Sequence, residues 1–298
     1  MCRSGLGASE VTDSAGPRIV AEGLQFPEGP VFDENGQLWC VELRNGCITR
    51  IHEGRALDRY PVGGRPCGLA PGRQGELWYC DGDRNEVRVF SALTGQSWAV
   101  AGSADGQDLD APNDLTFDRA GNLLFSCPGQ SRTEPNGSLA VLTTRGNCHI
   151  VARELQFPNG LAFAQDGETL YVAETYRQRV LKGSWNAAAN RWTSAGAVVM
   201  QTPGPIGPDG LAIDMEGRIY AAVYGARCIM ISTSSGSQAG ILSTKGQNPT
   251  NCAFDPSGRL GLVVTEAEAG EILALSDVSP GLSPNTAQFI SGASNVPA

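Results

Sequence analysis

Short apolar runs of three to six residues recur along the chain, separated by turns rich in glycine and aspartate. The fourth copy, FPNGLAFAQDGETLYVAET, shows the arrangement. A loop delivers Pro158 and Asn159, and Leu161 to Phe163 alternates as an inner strand. Gln165-Asp166-Gly167 turns the chain, and Leu170 to Ala173 reads as a second strand. RQRVLKGSW supplies a third, and AVVMQT, around Val198, a fourth. Copies of this unit begin at Pro27, Pro66, Pro112, Pro158, Pro208 and Pro249, with spacings by subtraction of 39, 46, 46, 50 and 41 residues. A period of about 40 to 50 residues built from short strands marks a propeller blade, so the pattern predicts an all-β, six-bladed β-propeller. No helical period of any length interrupts it.

The repeats run through nearly all of the 298 residues, which predicts one closed domain over 18–298 after a flexible N-terminal lead, 1–17. RIVAEGL, ahead of the first copy, reads as an outer strand without a blade of its own, and would complete the sixth blade. TAQFISGA near the C-terminus competes for that place. Closing the ring matters because it protects strand edges from pairing with other molecules.

The residue after each proline carries the candidate chemistry. In order it is Glu28, Cys67, Asn113, Asn159, Asp209 and Thr250. Equivalent positions in a ring of blades face one axis, so two carboxylates and two carboxamides should converge in a central channel. Hard oxygen donors with two negative charges suit a divalent cation of flexible coordination, Ca²⁺ best, with Zn²⁺, Mg²⁺ or Mn²⁺ as alternatives. Asn, Asp and Glu after proline also initiate turns, which explains any one of them but not four of six. A second recurring place holds Glu42, Asp81, Cys127, Glu174, Val223 and Val264, and reads as a surrounding shell or channel wall, or as polar strand exits.

Composition narrows the function classes. The net charge is −9 and no Lys/Arg cluster is present, which argues against nucleic acid. No apolar run approaches the roughly 20 residues of a membrane helix, and the first residues lack the apolar stretch of a signal peptide, so a cytoplasmic location is expected. Nine cysteines form no CxxC pair and there are two histidines, His52 and His149, both outside the motif, so zinc of the usual Cys/His kind is poorly supported. The cysteines lie in apolar runs and are expected to be small buried hydrophobes in a reducing compartment. The oligomeric state is not set by the sequence.

FPEGPVFDENGQLW, APNDLTFDRAGNLLFS, FPNGLAFAQDGETLYVAET and GPDGLAIDMEGRIYAAVYG resemble the senescence marker protein/gluconolactonase/luciferin-regenerating enzyme family over roughly residues 18 to 275. The resemblance implies one catalytic divalent metal in the channel of a six-bladed propeller. Glu28, Asn159 and Asp209 would be its direct ligands, and Asn113 a further ligand or a substrate-holding group. Asp209 would also act as the base. It implies a metal-dependent hydrolase, foremost a lactonase acting on a small molecule. Two departures bear on the pocket. Some sugar-lactonase members carry Arg where this chain has Ala111, and many read FTDP where it has Phe125-Ser126-Cys127-Pro128. Ala111 and Cys127 are therefore expected to shape a less polar pocket. One alternative uses the same site for phosphotriester hydrolysis or a non-hydrolytic isomerisation or cyclisation. Another is a non-enzymatic binding propeller of the NHL kind, which GLAPGRQGELWYCDGDRNEVRVF resembles.

Overall fold

The computed structural model describes residues 16–52 and 55–288. Its described strands form a nearly all-β molecule with six four-stranded antiparallel sheets and one small hairpin. The inner strands of the six blades are Pro27–Phe32, Pro66–Pro71, Leu115–Phe117, Pro158–Phe163, Gly207–Ile213 and Pro249–Phe254. The six-bladed propeller expected from the repeats is the fold observed. Residues 1–15 of the expected lead lie outside the described residues, and Arg18 opens the first strand.

That strand, Arg18–Ala21, is the fourth strand of the sixth blade. It pairs with Glu271–Leu275, beside Leu262–Glu266 and the inner strand Pro249–Phe254. RIVAEGL therefore closes the ring. Of the competing TAQFISGA, Thr286 to Gln288 form no strand, and the remainder lies outside the described residues.

The turn after the inner strand is set by a recurring aspartate. Asp33, Asp118, Asp214 and Asp255 accept backbone N–H groups from Gln37, Asn122, Arg218 and Leu260 at 2.8–2.9 Å. The core lies between blades. Trp78, Val87 and Val89 of blade two, for example, pack against Phe117, Leu123 and Phe125 of blade three. Apolar residues from both faces of each sheet enter such seams, which is why the second strands of blades one, two, three and six are buried along their whole length.

Five of the six inner strands contain a bulge just after the proline. Pro27 faces Glu42 and Glu28 faces Val41, but Val31 faces Trp39; the same break separates Pro158 from Leu161 and Pro208 from Leu211. The strands in blades two and six shift likewise. A bulge breaks the alternation of side chains and re-aims them. In blade three Asn113 and Asp114 both bond the backbone of Ser126, setting two residues against one in the same way. Two successive positions after the proline thereby reach the axis, where plain alternation would give one.

Candidate active site

The first axial position holds the residues picked out by the repeat. Glu28, Asn159 and Asp209 are buried, and Asn113 is half-buried. Thr175, in a short 3-10 turn after the second strand of blade four, ties two blades together: it receives a hydrogen bond from the Asn159 amide at 3.3 Å and donates to the Pro208 carbonyl at 2.8 Å. The Asn159 amide also donates to Asp209. Both bonds use the amide nitrogen, so the carbonyl oxygen stays available as a ligand. Thr250 makes the corresponding tie from blade six to the Pro27 carbonyl, at 2.8 Å. The Asn113 backbone is fixed on both sides, by bonds from its N–H to Ser126 and from Gly68 to its carbonyl, each 2.9 Å.

The second axial position was not anticipated. In four blades it is Gly29, Gly68, Gly160 and Gly210, but blades three and six carry Asp114 and Asn251. The Asn251 amide lies 3.4 Å from Asp114, whose other oxygen accepts the Leu115 N–H at 2.8 Å. The glycines make room for them. A Cβ on Gly68 would stand 2.2 Å from Asp114 Oδ1, and one on Gly210 would stand 2.0 Å from the Asn251 amide. The sequence signal was present, since Pro-x-Gly becomes Pro-Asn-Asp and Pro-Thr-Asn in these two copies alone.

Three carboxyl groups thus share the buried axis. Burial pushes Asp114 up from its ordinary 3.8 to about 6, against bonds from Leu115, Asn251 and Leu161. Burial, then the charges of Asp209 and Asp114, raise Glu28 well above the usual range. Asp209 is raised in the same way by burial and Asp114, partly offset by the Asn159 amide. Such mutual raising is the electrostatic mark of a site that would hold a cation. Among the described residues, no three His, Cys, Asp or Glu side chains are grouped to hold an ion by themselves. A cation on the axis therefore needs amide oxygens as well, and Asn113 and Asn159 supply that donor type.

Beyond Asp114 and Asn251 the channel opens into a cavity of about 370 Å³ lined by Val31, Ala70, Thr116, Ala162, Ala212 and Ala253, with 281–286 running across its far end.

The other recurring place plays a different part from the shell or channel wall expected of it. Glu42, Asp81 and Glu174 are fully buried and ion-paired, Glu42 to Arg59 at 2.5 Å, Asp81 to Arg84 at 2.6 Å and Glu174 to Arg179 at 2.5 Å. Each also accepts a backbone N–H from the loop ahead of the repeat proline, at Gln25, Arg65 and Gln156. They are clips that hold the loops delivering the axial residues. In blade six the equivalent is Glu266, not Val264, since Pro249 faces Glu266 and the Asn248 N–H reaches it at 2.8 Å.

Cys127 does not line the channel. It is 3% exposed in the seam between blades two and three, among Cys80, Phe125 and Ala140, and burial pushes its thiol far up. A neutral thiol is a small hydrophobe, and the seam takes it as one. Ala111 stands half-buried just before the repeat proline, at φ 47°, with its N–H bonded to Asn85 at 2.8 Å. The eight described cysteines are free. His149 pairs with Asp105 at 2.9 Å on an exposed edge, and His52 ends a strand of blade one.

The molecule is thus a six-bladed propeller with polar side chains converging on a carboxyl-rich axis. The chain belongs to the SMP-30/Gluconolactonase/LRE-like family, whose profile matches residues 26–268. A gluconolactonase of Zymomonas mobilis is 26% identical over 282 residues, covering 81% of this chain and 76% of that protein. The diisopropyl-fluorophosphatase of Loligo vulgaris is 26% identical over 291 residues, covering 84% and 88%. Among solved structures, a calcium-binding protein, regucalcin, of Agrobacterium tumefaciens superposes with a TM-score of 0.76 at 20% identity, covering 90% of this chain and 95% of that one. Among the described residues no helix is long and apolar enough to cross a membrane.

Proposed function

We propose that the protein is a metal-dependent hydrolase that opens a small lactone. The observation that carries the reading is the set of buried carboxyls on the axis, Glu28, Asp209 and Asp114, each raised by burial and the first two by neighbouring charge. Family membership and the gluconolactonase relative support the reaction class. Glu28, Asn159 and Asp209 would hold a divalent cation, with Asn113 in reach. Bound there, Ca²⁺ or a similar ion supplies the positive charge that polarises an ester carbonyl and offsets the carboxylates.

The chain's own residues do the rest. Asp209 accepts the proton of the attacking water at a carboxylate oxygen, the other oxygen being held by the Asn159 amide. Asn113, anchored through its backbone, donates its amide N–H to the substrate carbonyl oxygen. Asp114 lies beyond both and adds negative potential that favours cation binding. Thr175 and Thr250 keep blades four to five and six to one in register around the site.

The test is turnover of a lactone panel by the native protein, by protein stripped with EDTA, and by stripped protein given back Ca²⁺, Mg²⁺, Mn²⁺ or Zn²⁺. Loss on stripping and recovery with one ion supports the reading; equal turnover in all states removes the metal from it. The phosphatase relative favours a second reading, phosphotriester hydrolysis at the same site. Including a fluorophosphate in the panel separates the two.

A further inference from the structure

The axis is negative, but the rim above it is not. The residue ahead of each repeat proline stands at the channel mouth; in blade order these are Phe26, Arg65, Ala111, Phe157, Gly207 and Asn248. Phe26 and Phe157 belong to blades one and four, which face each other across a six-bladed ring. Both hold a left-handed backbone, at φ 58° and 52°. Bulky side chains rarely adopt it, and it persists where surrounding structure fixes it, often at functional sites. Each phenylalanine is two residues from an axial oxygen donor, Glu28 or Asn159.

The same three residue types gather on both sides. Phe26 stacks with Tyr224, ring centroids 6.4 Å apart, and the Arg44 guanidinium lies 5.0 Å from the Phe26 ring. Phe157 meets the edge of Tyr176 at 5.1 Å, and Arg132 lies 5.8 Å from both rings. Arg44 and Arg132 are exposed, and among the described residues neither forms an ion pair. Arg65, the arginine at a rim position, is instead engaged by Asp83 at 3.2 Å. Aromatic faces hold a guanidinium in place while leaving its fork of N–H donors free, and that fork matches a carboxylate.

We propose that the mouth selects lactones that carry a carboxylate, the anion held by Arg44 or by Arg132 and the ring lying against the aromatic pair beside that arginine. This rests on the hydrolase reading and names its substrate class. Ala111 leaves the third-blade rim without a charge, and the two stacked arginines supply it from blades one and three.

The experiment compares kcat/KM for 5-oxotetrahydrofuran-2-carboxylate and its carboxamide, followed by proton release, in wild type, Arg44→Met, Arg132→Met and the double variant. Wild type should prefer the carboxylate. The double variant should lose that preference by about tenfold or more, the scale of a hydrogen bond to a charged group. Arg44→Lys and Arg132→Lys should keep part of it, and 0.5 M salt should weaken it. In parallel, calorimetry with the unreactive 3-oxocyclopentane-1-carboxylate and its carboxamide reads anion preference without chemistry. Hydrolysis of both lactones with equal kcat/KM, or a preference that survives in the double variant, overturns the inference. Carboxylate-selective binding that needs the arginines, with no lactone opened, sinks the hydrolase reading and keeps the anion site. Absence of selectivity in both assays removes the anion site.

Discussion

Asp114→Asn should stabilise the metal-free protein at neutral pH. The carboxyl is buried and raised from 3.8 to about 6, so its folded pKa lies above its unfolded one. Its contribution to stability is complete below pH 4 and is lost as pH rises through 6. At 1.36 kcal/mol per unit, the ionised carboxylate costs about 3 kcal/mol at pH 7. Asparagine keeps the shape and can still accept the Leu115 N–H, but it offers an amino group to the Asn251 amide and forfeits that 3.4 Å bond. A long bond of this kind contributes about 1 kcal/mol. The net gain is about 2 kcal/mol, or roughly 4 °C in Tm for a chain of this size. Thermal unfolding of EDTA-treated protein at pH 7 and pH 4 reads it directly. At pH 4 the gain should vanish, because wild type then carries little charge at this site. Added Ca²⁺ at pH 7 should reverse the order, since the substitution removes negative potential from the cation's surroundings. A variant no more stable than wild type at pH 7 without metal would refute the reasoning. So would a gain equally large at pH 4.

Glu28→Gln should weaken divalent-cation binding, read as a smaller Ca²⁺-induced rise in Tm, because it removes one of the axial charges. Asp209→Asn should lower turnover of the best lactone by at least about 10²-fold while the protein still folds by circular dichroism; near-native turnover would take the base role from it. Cys127→Asp should destabilise by several kcal/mol, because a charge would be buried among Cys80, Phe125 and Ala140, whereas Cys127→Ala should cost less; urea denaturation of both compares them.

The propeller was legible because its repeat is punctuated by prolines and by aspartate turns, and those survive as strand starts and hairpins. Glu28, Asn159 and Asp209 were legible for the same reason, being register-equivalent. Asp114 and Asn251 were missed because reading one axial residue per blade assumes plain alternation, which the bulge breaks. Glu42, Asp81 and Glu174 were visible as a recurring acidic place, but their Arg partners lie three to seventeen residues away with no shared spacing. Only the structure shows that they clip loops. In blade six the register of the other copies would start the second strand at Leu260, four residues before Val264. Gly261 intervenes and the strand begins at Leu262, so the acidic place moved to Glu266. The rim aromatics were invisible because the left-handed backbone that presents Phe26 and Phe157 leaves no mark in residue type.

The strand that closes the ring pairs Arg18 with Ala274, 256 residues later. Joining ends so distant carries a loop-closure entropy of about 5 kcal/mol by the (3/2)RT ln n rule. A strand made first on the ribosome thus waits for the last blade before it has a partner. Between synthesis of the last blade and docking of Arg18–Ala21, the sixth sheet exposes the edge of Glu271–Leu275, and that edge is a template for any free strand nearby. The pairing that covers this edge in the native ring is, during synthesis, where one nascent chain can zip onto another and be trapped as a strand-exchanged pair.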